Sequence, residues 1–179
     1  MTLILASRSP QRRAILEQLG IPFRVVVPEV EETDEGDPRG VVIENALRKV
    51  RAVHGPLVLG VDTTVSVDGR TYGKPADREE ASRMVRMLSG REHEVWSGIA
   101  LKRDGDEQTA ARCTRVRFRT VTEPILRWYL DSGEWRGRAG GYAIQGRGAA
   151  LVESVDGDFW NVVGLPVPEL VRMAPELLG

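Results

Sequence analysis

The strongest constraint in this chain is the run Leu57-Val58-Leu59-Gly60-Val61-Asp62-Thr63-Thr64-Val65. Its length and its wealth of Val and Leu read as a buried, central strand, continued to Val67 and closed by a hairpin turn at Asp68-Gly69. One residue breaks the pattern. A lone carboxylate in such a strand is costly unless it is paired, protonated or on a metal. Gly60, two residues earlier, lets another group approach the backbone closely. Asp62 is therefore a functional residue by expectation, because an inert role needs a buried partner that the sequence does not name.

The chain opens with a second junction of this kind. The apolar residues 3–6 form a short strand that stops at Ser7-Arg8-Ser9. Ser9 suits an N-cap and Pro10 the first helical position. Arg12 and Arg13 then lie in a first turn, where cations oppose the helix dipole by roughly a few tenths of a kcal/mol each when exposed. A bound anion removes that conflict, and free N–H groups, hydroxyls and guanidiniums at a helix start describe a phosphate site. The same residues also suit a capped surface helix with solvated arginines, and spacing alone does not decide between the two.

The chain of 179 residues suits one domain, or two tightly joined lobes, with a core that needs no staples. One cysteine, Cys113, excludes an intrachain disulfide and fits a reducing compartment. No run approaches the roughly 18 apolar residues of a membrane span, and no secretory segment is present, so a cytoplasmic protein is expected. A net charge of −1 argues against a general nucleic-acid binder and makes any anion site local. All but three of the 25 basic residues are arginine, the exceptions being Lys49, Lys74 and Lys102. Lys102, beside a turn, reads as plain surface. Lys49 and Lys74 are candidates for places where a compact ammonium is wanted.

Helices are expected over 10–19, 38–54, 78–89, 123–131 and 167–178, and further strands over 23–28, 93–103, 108–119 and 149–155. Asp37 and Asp77 are caps, the latter with Glu80 as a capping box. The acidic run Glu29 to Glu35 reads as a solvated loop, or as a loop that turns one or two carboxylates inward to a metal. On the second helix Lys49 lies close to the apolar stripe, either snorkelling or reaching into a cleft. Arg115, Arg117 and Arg119 share the solvated face of a strand. Their strands carry few aromatics, which argues against an RNA or DNA module. The segment Arg136 to Gly148 holds five glycines together with Tyr142 and Gln145. It suits close approach to a ligand, with the Gln145 amide offered to a base edge.

Several chemistries are absent. Pro75 after Lys74 spoils the one P-loop-like stretch, no G-x-G-x-x-G follows a strand, and His54, His93 and Cys113 lack zinc-ligand spacing. Oxygen ligands remain, which suit Mg²⁺ or Mn²⁺ with a phosphorylated substrate.

Taken together, LASRSPQRR, VEET, NALRKVRAV, LGVDTTV, YGKPAD, LSGREHEVWSG, AGGYAIQGRGA and NVVGLP resemble, in order, the blocks of the Maf family of nucleoside triphosphate pyrophosphatases. The resemblance covers almost the whole chain as one Maf-like domain. It implies an α/β fold, an elongated mixed sheet with flanking helices and two lobes around a cleft, like the inosine triphosphate pyrophosphatases. It implies hydrolysis of a triphosphate to monophosphate and pyrophosphate with a divalent cation, Mg²⁺, Mn²⁺ or Co²⁺, held by Glu32 and Asp62, and it suggests a homodimer. By position, Asp62, Glu32, Lys49 and Lys74 are the catalytic group, and Ser7, Gln11, Arg12, Arg13, Thr63 and Gln145 contact substrate. Thr63 and Gln145 match the branch that resembles dTTP/UTP pyrophosphatases, whereas Gln11 stands where that branch has arginine. The competing expectations are a 7-methyl-GTP pyrophosphatase and a nucleotide-binding regulator of septum formation.

Overall fold

A computed structural model describes residues 2–179. The strands are β1 (Leu3–Leu5), β2 (Phe23–Val25), β3 (Leu57–Val67), β4 (Arg70–Tyr72), β5 (Glu92–Arg103), β6 (Asp106–Phe118) and β7 (Val152–Asp156). The helices are α1 (Pro10–Gln18), α2 (Pro38–Arg51), α3 (Arg78–Leu88), α4 (Glu123–Asp131), α5 (Phe159–Val163) and α6 (Val167–Met173). None is long and apolar enough to cross a membrane.

The strands form one mixed sheet in the order β2-β1-β3-β5-β6-β7, with β4 also paired to β3. The pairs β1–β2 and β1–β3 are parallel, and the others are antiparallel. As the sequence requires, β3 is central and almost wholly buried. Asp68 and Gly69, with φ of 52° and 76°, make the two-residue turn into β4.

The edge of β3 facing β1 and β4 is interrupted. β1 pairs with it only as far as Leu59, and β4 begins at Val65. Between those partners Gly60 to Thr64 has no neighbouring strand on that side, while β5 runs unbroken along the other. The gap divides the molecule into two lobes. On one side β1, α1, α6 and the first half of β3 share an apolar cluster containing Leu5, Leu16, Leu59, Ile99 and Leu170. On the other, α3, α4 and the second half of β3 share one containing Val65, Val85, Phe118, Tyr129 and Trp135.

Helix α2 packs across the sheet at the gap, on a third cluster formed by Ile4, Ala46, Val50, Val58 and Ala100. Two glycines make room for it. A Cβ on Gly60 would lie 2.5 Å from the Ala46 carbonyl oxygen, and one on Gly98 would collide with the Val42 carbonyl. Gly98 pairs directly with Asp62, so the helix comes closest beside that carboxylate.

Element ends differ from the sequence expectation for local reasons. The last helix stops at Met173, and Pro175–Leu178 forms a separate 3₁₀ turn, because the residue before a proline is driven out of the helical region and Ala174 sits at φ −145° and ψ 65°. β2 ends at Val25, short of 28, as the chain approaches Pro28, which lacks a donor. Residues 147–151 form a 3₁₀ turn instead of starting β7, and Gly148 lies against the Ala143 carbonyl there too closely for a Cβ. Lys102 is not plain surface: its Nζ donates to the Val53 carbonyl at 2.6 Å, just past the C-terminal end of α2.

Candidate active site

Asp62 projects from the gap toward α2 and finds two donors there. Lys49 Nζ donates to Oδ1 at 2.8 Å, and Asn45 Nδ2 donates to Oδ2 at 3.0 Å. These are the partners that the buried carboxylate demands. Lys49 Nζ also donates to the Val61 carbonyl at 3.1 Å, a backbone oxygen on the unpaired stretch of β3. It lies 2.8 Å from Glu32 Oε1 as well. Lys49 thus bridges the two carboxylates and fills part of the break in the sheet.

Glu32 comes from the acidic segment between β2 and α2, which has no regular structure. Asn45 ties that segment down. The Thr33 N–H donates to Asn45 Oδ1 at 2.8 Å, and Asn45 Nδ2 donates to the Thr33 carbonyl at 2.9 Å. Glu29, Glu31, Glu32 and Glu35 are all exposed, as the solvated-loop reading expects, and Glu32 alone of these four turns its carboxylate to Lys49.

Beside the carboxylates, α1 delivers Arg12, which is buried although it lies in a first turn. Its Nε donates to the Gly164 carbonyl at 2.8 Å, and its terminal nitrogens donate to Ser7 Oγ at 3.0 Å and Thr63 Oγ1 at 3.2 Å. All three acceptors are neutral, and Arg12 forms no ion pair among the described residues. Burial lowers its pKa, and the nearby charges of Asp62 and Glu32 act in the opposite sense. A desolvated guanidinium without a counter-ion at a helix start favours the anion-site reading of Ser7 to Arg13. Ser9 caps α1 and its hydroxyl donates to Gln11 Oε1 at 2.9 Å, which leaves the Gln11 amide N–H groups for another acceptor.

Lys74, after β4, approaches from the second lobe and has no ion-pair partner among the described residues. Its pKa is lowered, first by loss of water and then by the neighbouring Arg12 and Lys49 charges, against the opposing pull of Glu32 and Asp62. Three contiguous cavities of about 320, 300 and 360 Å³ meet here, and all three are lined by Lys74. The first has six cationic side chains in its wall (Arg8, Arg12, Lys49, Lys74, Arg136 and Arg138) and one carboxylate, Asp62. Such a space favours a highly charged anion.

The structure brings Ser7, Gln11, Arg12, Glu32, Lys49, Asp62, Thr63 and Lys74 to this junction. Gln145 lines the far wall of the first cavity with Tyr142, Arg138, Val65, Val95 and Val163. Arg13 lines none of the three. Sequence reasoning missed three neighbours. Asn45 stands one helical turn before Lys49, a spacing that could have paired them. Ser97 is buried opposite Thr63 on β5 and shares a 2.8 Å hydrogen bond with it. His93 lies behind the far wall, with Nε2 at 2.8 Å from the Tyr142 hydroxyl and its ring edge-to-face with Phe118 and Tyr142. Burial pushes its pKa down to about 4.

Among the described residues no three His, Cys, Asp or Glu side chains converge as a self-sufficient metal cage. Glu32, Asp34 and Asp62 are the carboxylates that line the three cavities among the described residues, and Lys49 joins the first and last of them.

A family model described as Maf-like protein matches residues 2–177. A protein of Symbiobacterium thermophilum named dTTP/UTP pyrophosphatase is 50% identical over 177 residues, spanning 96% of this chain and 91% of that one. Proteins with the same name from Thermus thermophilus and Pelotomaculum thermopropionicum are 48% and 45% identical, each over 96% of this chain and over 92% and 94% of their own lengths. Among solved structures, the Staphylococcus aureus Ham1 protein aligns with a TM-score of 0.47 at 15% identity, over 66% of this chain and 72% of that one. With nearly every residue matched by the family model, and with relatives of this identity over almost their full length, the chain belongs to the Maf-like protein family.

Proposed function

We propose that this protein hydrolyses dTTP and UTP to the monophosphate and pyrophosphate, the substrates that the names of its relatives carry. One observation supports this most strongly. Lys49 bridges Glu32 and Asp62 at 2.8 Å each, beside Arg12 and Lys74, two cations without counter-ions. A carboxylate pair next to uncompensated positive charge suits a water attacking phosphorus while a polyanion leaves.

In this reading Asp62 takes a proton from the attacking water. Each of its oxygens already accepts one hydrogen bond, so each keeps a free lone pair. Water oxygen bonds to the α-phosphorus, and the bond from that phosphorus to the bridging oxygen of the pyrophosphate breaks. Lys49, Lys74 and Arg12 stabilise the charge that grows on the leaving pyrophosphate, and Ser7 and Thr63 hold the Arg12 guanidinium in place. The donor set fits a divalent cation of the Mg²⁺, Mn²⁺ or Co²⁺ kind. Such ions are commonly held by one or two carboxylates plus substrate phosphates and water, and Glu32 and Asp62 are two carboxylates facing the phosphate end. Bound there, the ion would supply Lewis-acid polarisation of a phosphoryl oxygen. Action on free nucleotides in the cytoplasm, by a homodimer, belongs to the same proposal.

The test is a pyrophosphate-release screen of UTP, dTTP, CTP, GTP and 7-methyl-GTP with each of the three metals. Preferential turnover of UTP and dTTP supports the reading. Turnover of 7-methyl-GTP well above both overturns the substrate assignment, and metal-dependent binding without turnover favours a regulator.

A further inference from the structure

The far wall of the first cavity carries a cation that the phosphate chemistry leaves unused. Arg138 lines it together with Tyr142 and Gln145. The Arg138 Nε–H is buried and meets no acceptor among the described residues, and its side chain forms no ion pair there. Its neighbour Arg136 is engaged elsewhere, with its guanidinium carbon 4.6 Å from the Trp135 ring centroid. The segment that carries Arg138 is clamped. The Arg138 N–H donates to the Trp135 carbonyl at 3.3 Å, the Gly141 N–H to the Arg138 carbonyl at 3.0 Å, and the Gly140 N–H to the Gly73 carbonyl at 3.0 Å. Gly140, at φ 68°, sits so close to β3 that a Cβ would lie 2.7 Å from Val65 Cγ2. The terminal nitrogens of Arg138 also meet no acceptor among the described residues, and unlike Nε they are not buried, so Arg138 is a held donor in the wall of a ligand cavity. Burial lowers its pKa, and the nearby Tyr129 and Glu134 offset that cost only in part.

Arg12, Lys49 and Lys74 already gather around Asp62, so a triphosphate is fully provided for at that end. What reaches the opposite wall is the base. Resting on the pyrimidine-nucleotide reading above, we propose that Arg138 is a specificity-determining residue that donates to a ring carbonyl of uracil or thymine and sets the discrimination against cytosine. Uracil and thymine present a carbonyl oxygen at the position where cytosine presents an amino group. Gln145, whose side chain makes no hydrogen bond among the described residues, does not distinguish these alone. Its amide carries both a donor and an acceptor and fits either edge after a half-turn. A guanidinium has donors only, so it accepts the carbonyl and rejects the amino group.

The test measures kcat/KM for UTP and CTP, and for dTTP and dCTP, in the wild type, Arg138→Gln and Arg138→Lys, with thermal unfolding recorded for each. Gln replaces a donor-only group by one that flips, and Lys keeps a donor-only cation. The expected result is that Arg138→Gln lowers the UTP-over-CTP ratio by about tenfold or more, while Arg138→Lys keeps it within about threefold. Equal losses on UTP and CTP in Arg138→Gln, or the same collapse of the ratio in Arg138→Lys, overturn the assignment. No pyrophosphate release from UTP or dTTP by the wild type overturns the activity itself, whereas release with an unchanged ratio in Arg138→Gln overturns only the role of Arg138.

Discussion

At the scale of single residues, the site is a set of groups whose charges are left uncompensated or shared. Lys49 holds two carboxylates, so Lys49→Met leaves Glu32 and Asp62 facing each other without their common cation. Turnover is expected to fall by about 10²–10³ in steady-state assays, as for loss of one transition-state stabiliser. Lys74 loses its proton below the ordinary value of 10.5, because burial disfavours its charge. Rising pH therefore removes a phosphate-binding cation early, and KM for the triphosphate should climb on the alkaline side. Lys74→Arg should move that limb upward in pH–KM profiles, and an unmoved limb would contradict the assignment. Asp62, Lys49 and Lys74 were legible in the sequence because each is the wrong residue type for its surroundings: a carboxylate in an apolar strand, and lysines in an arginine-rich chain. Asn45 was not, because an asparagine on a helix is unremarkable until its partners Thr33 and Asp62 arrive from other elements.

At the scale of elements, helix α2 sets the geometry. It carries both Asn45 and Lys49, and it reaches Asp62 because Gly60 and Gly98 leave the sheet surface bare. Gly98→Ala forces the helix away from β5. The expected outcome is a loss of about 1–3 kcal/mol in denaturant unfolding, the usual range for overpacking. Turnover should fall more than this partial loss of folded stability explains, because the helix carries the partners of Asp62. Undiminished turnover would mean that the approach of α2 does not set the site. The caps Ser9, Asp37 and Asp77 were readable, since capping is local chemistry. The break in the edge of β3 was not. It depends on where β1 stops against Leu59 and where β4 starts against Val65, which is a matter of pairing between distant segments.

At the scale of the whole molecule, two lobes and their apolar clusters meet at one gap, and the second lobe carries a pH liability in His93. Its folded pKa of about 4 lies below the ordinary 6.5. Between these values the unfolded chain binds a proton that the folded one refuses, so stability is complete above pH 6.5 and is lost as pH falls toward 4. The full loss is about 3 kcal/mol. Wild-type protein should lose about 2–3 kcal/mol more than His93→Gln between pH 7 and 4.5 in urea titrations. Equal losses would remove His93 from the acid response. Fold class, lobes and cleft were legible from ordered sequence blocks. The buried His93–Tyr142 pair was not, because nothing local marks two residues separated by β6 and α4 as neighbours.

In the proposed reaction water attacks the α-phosphorus at Asp62. Hydrolysis of UTP in ¹⁸O-labelled water tests it most directly, with the products resolved by mass spectrometry. The expected products carry one labelled oxygen in the monophosphate and none in the pyrophosphate, with the labelled product reduced about 10²–10³-fold in folded Asp62→Asn. Label in the pyrophosphate, release of orthophosphate, or near-normal labelling by Asp62→Asn would contradict it.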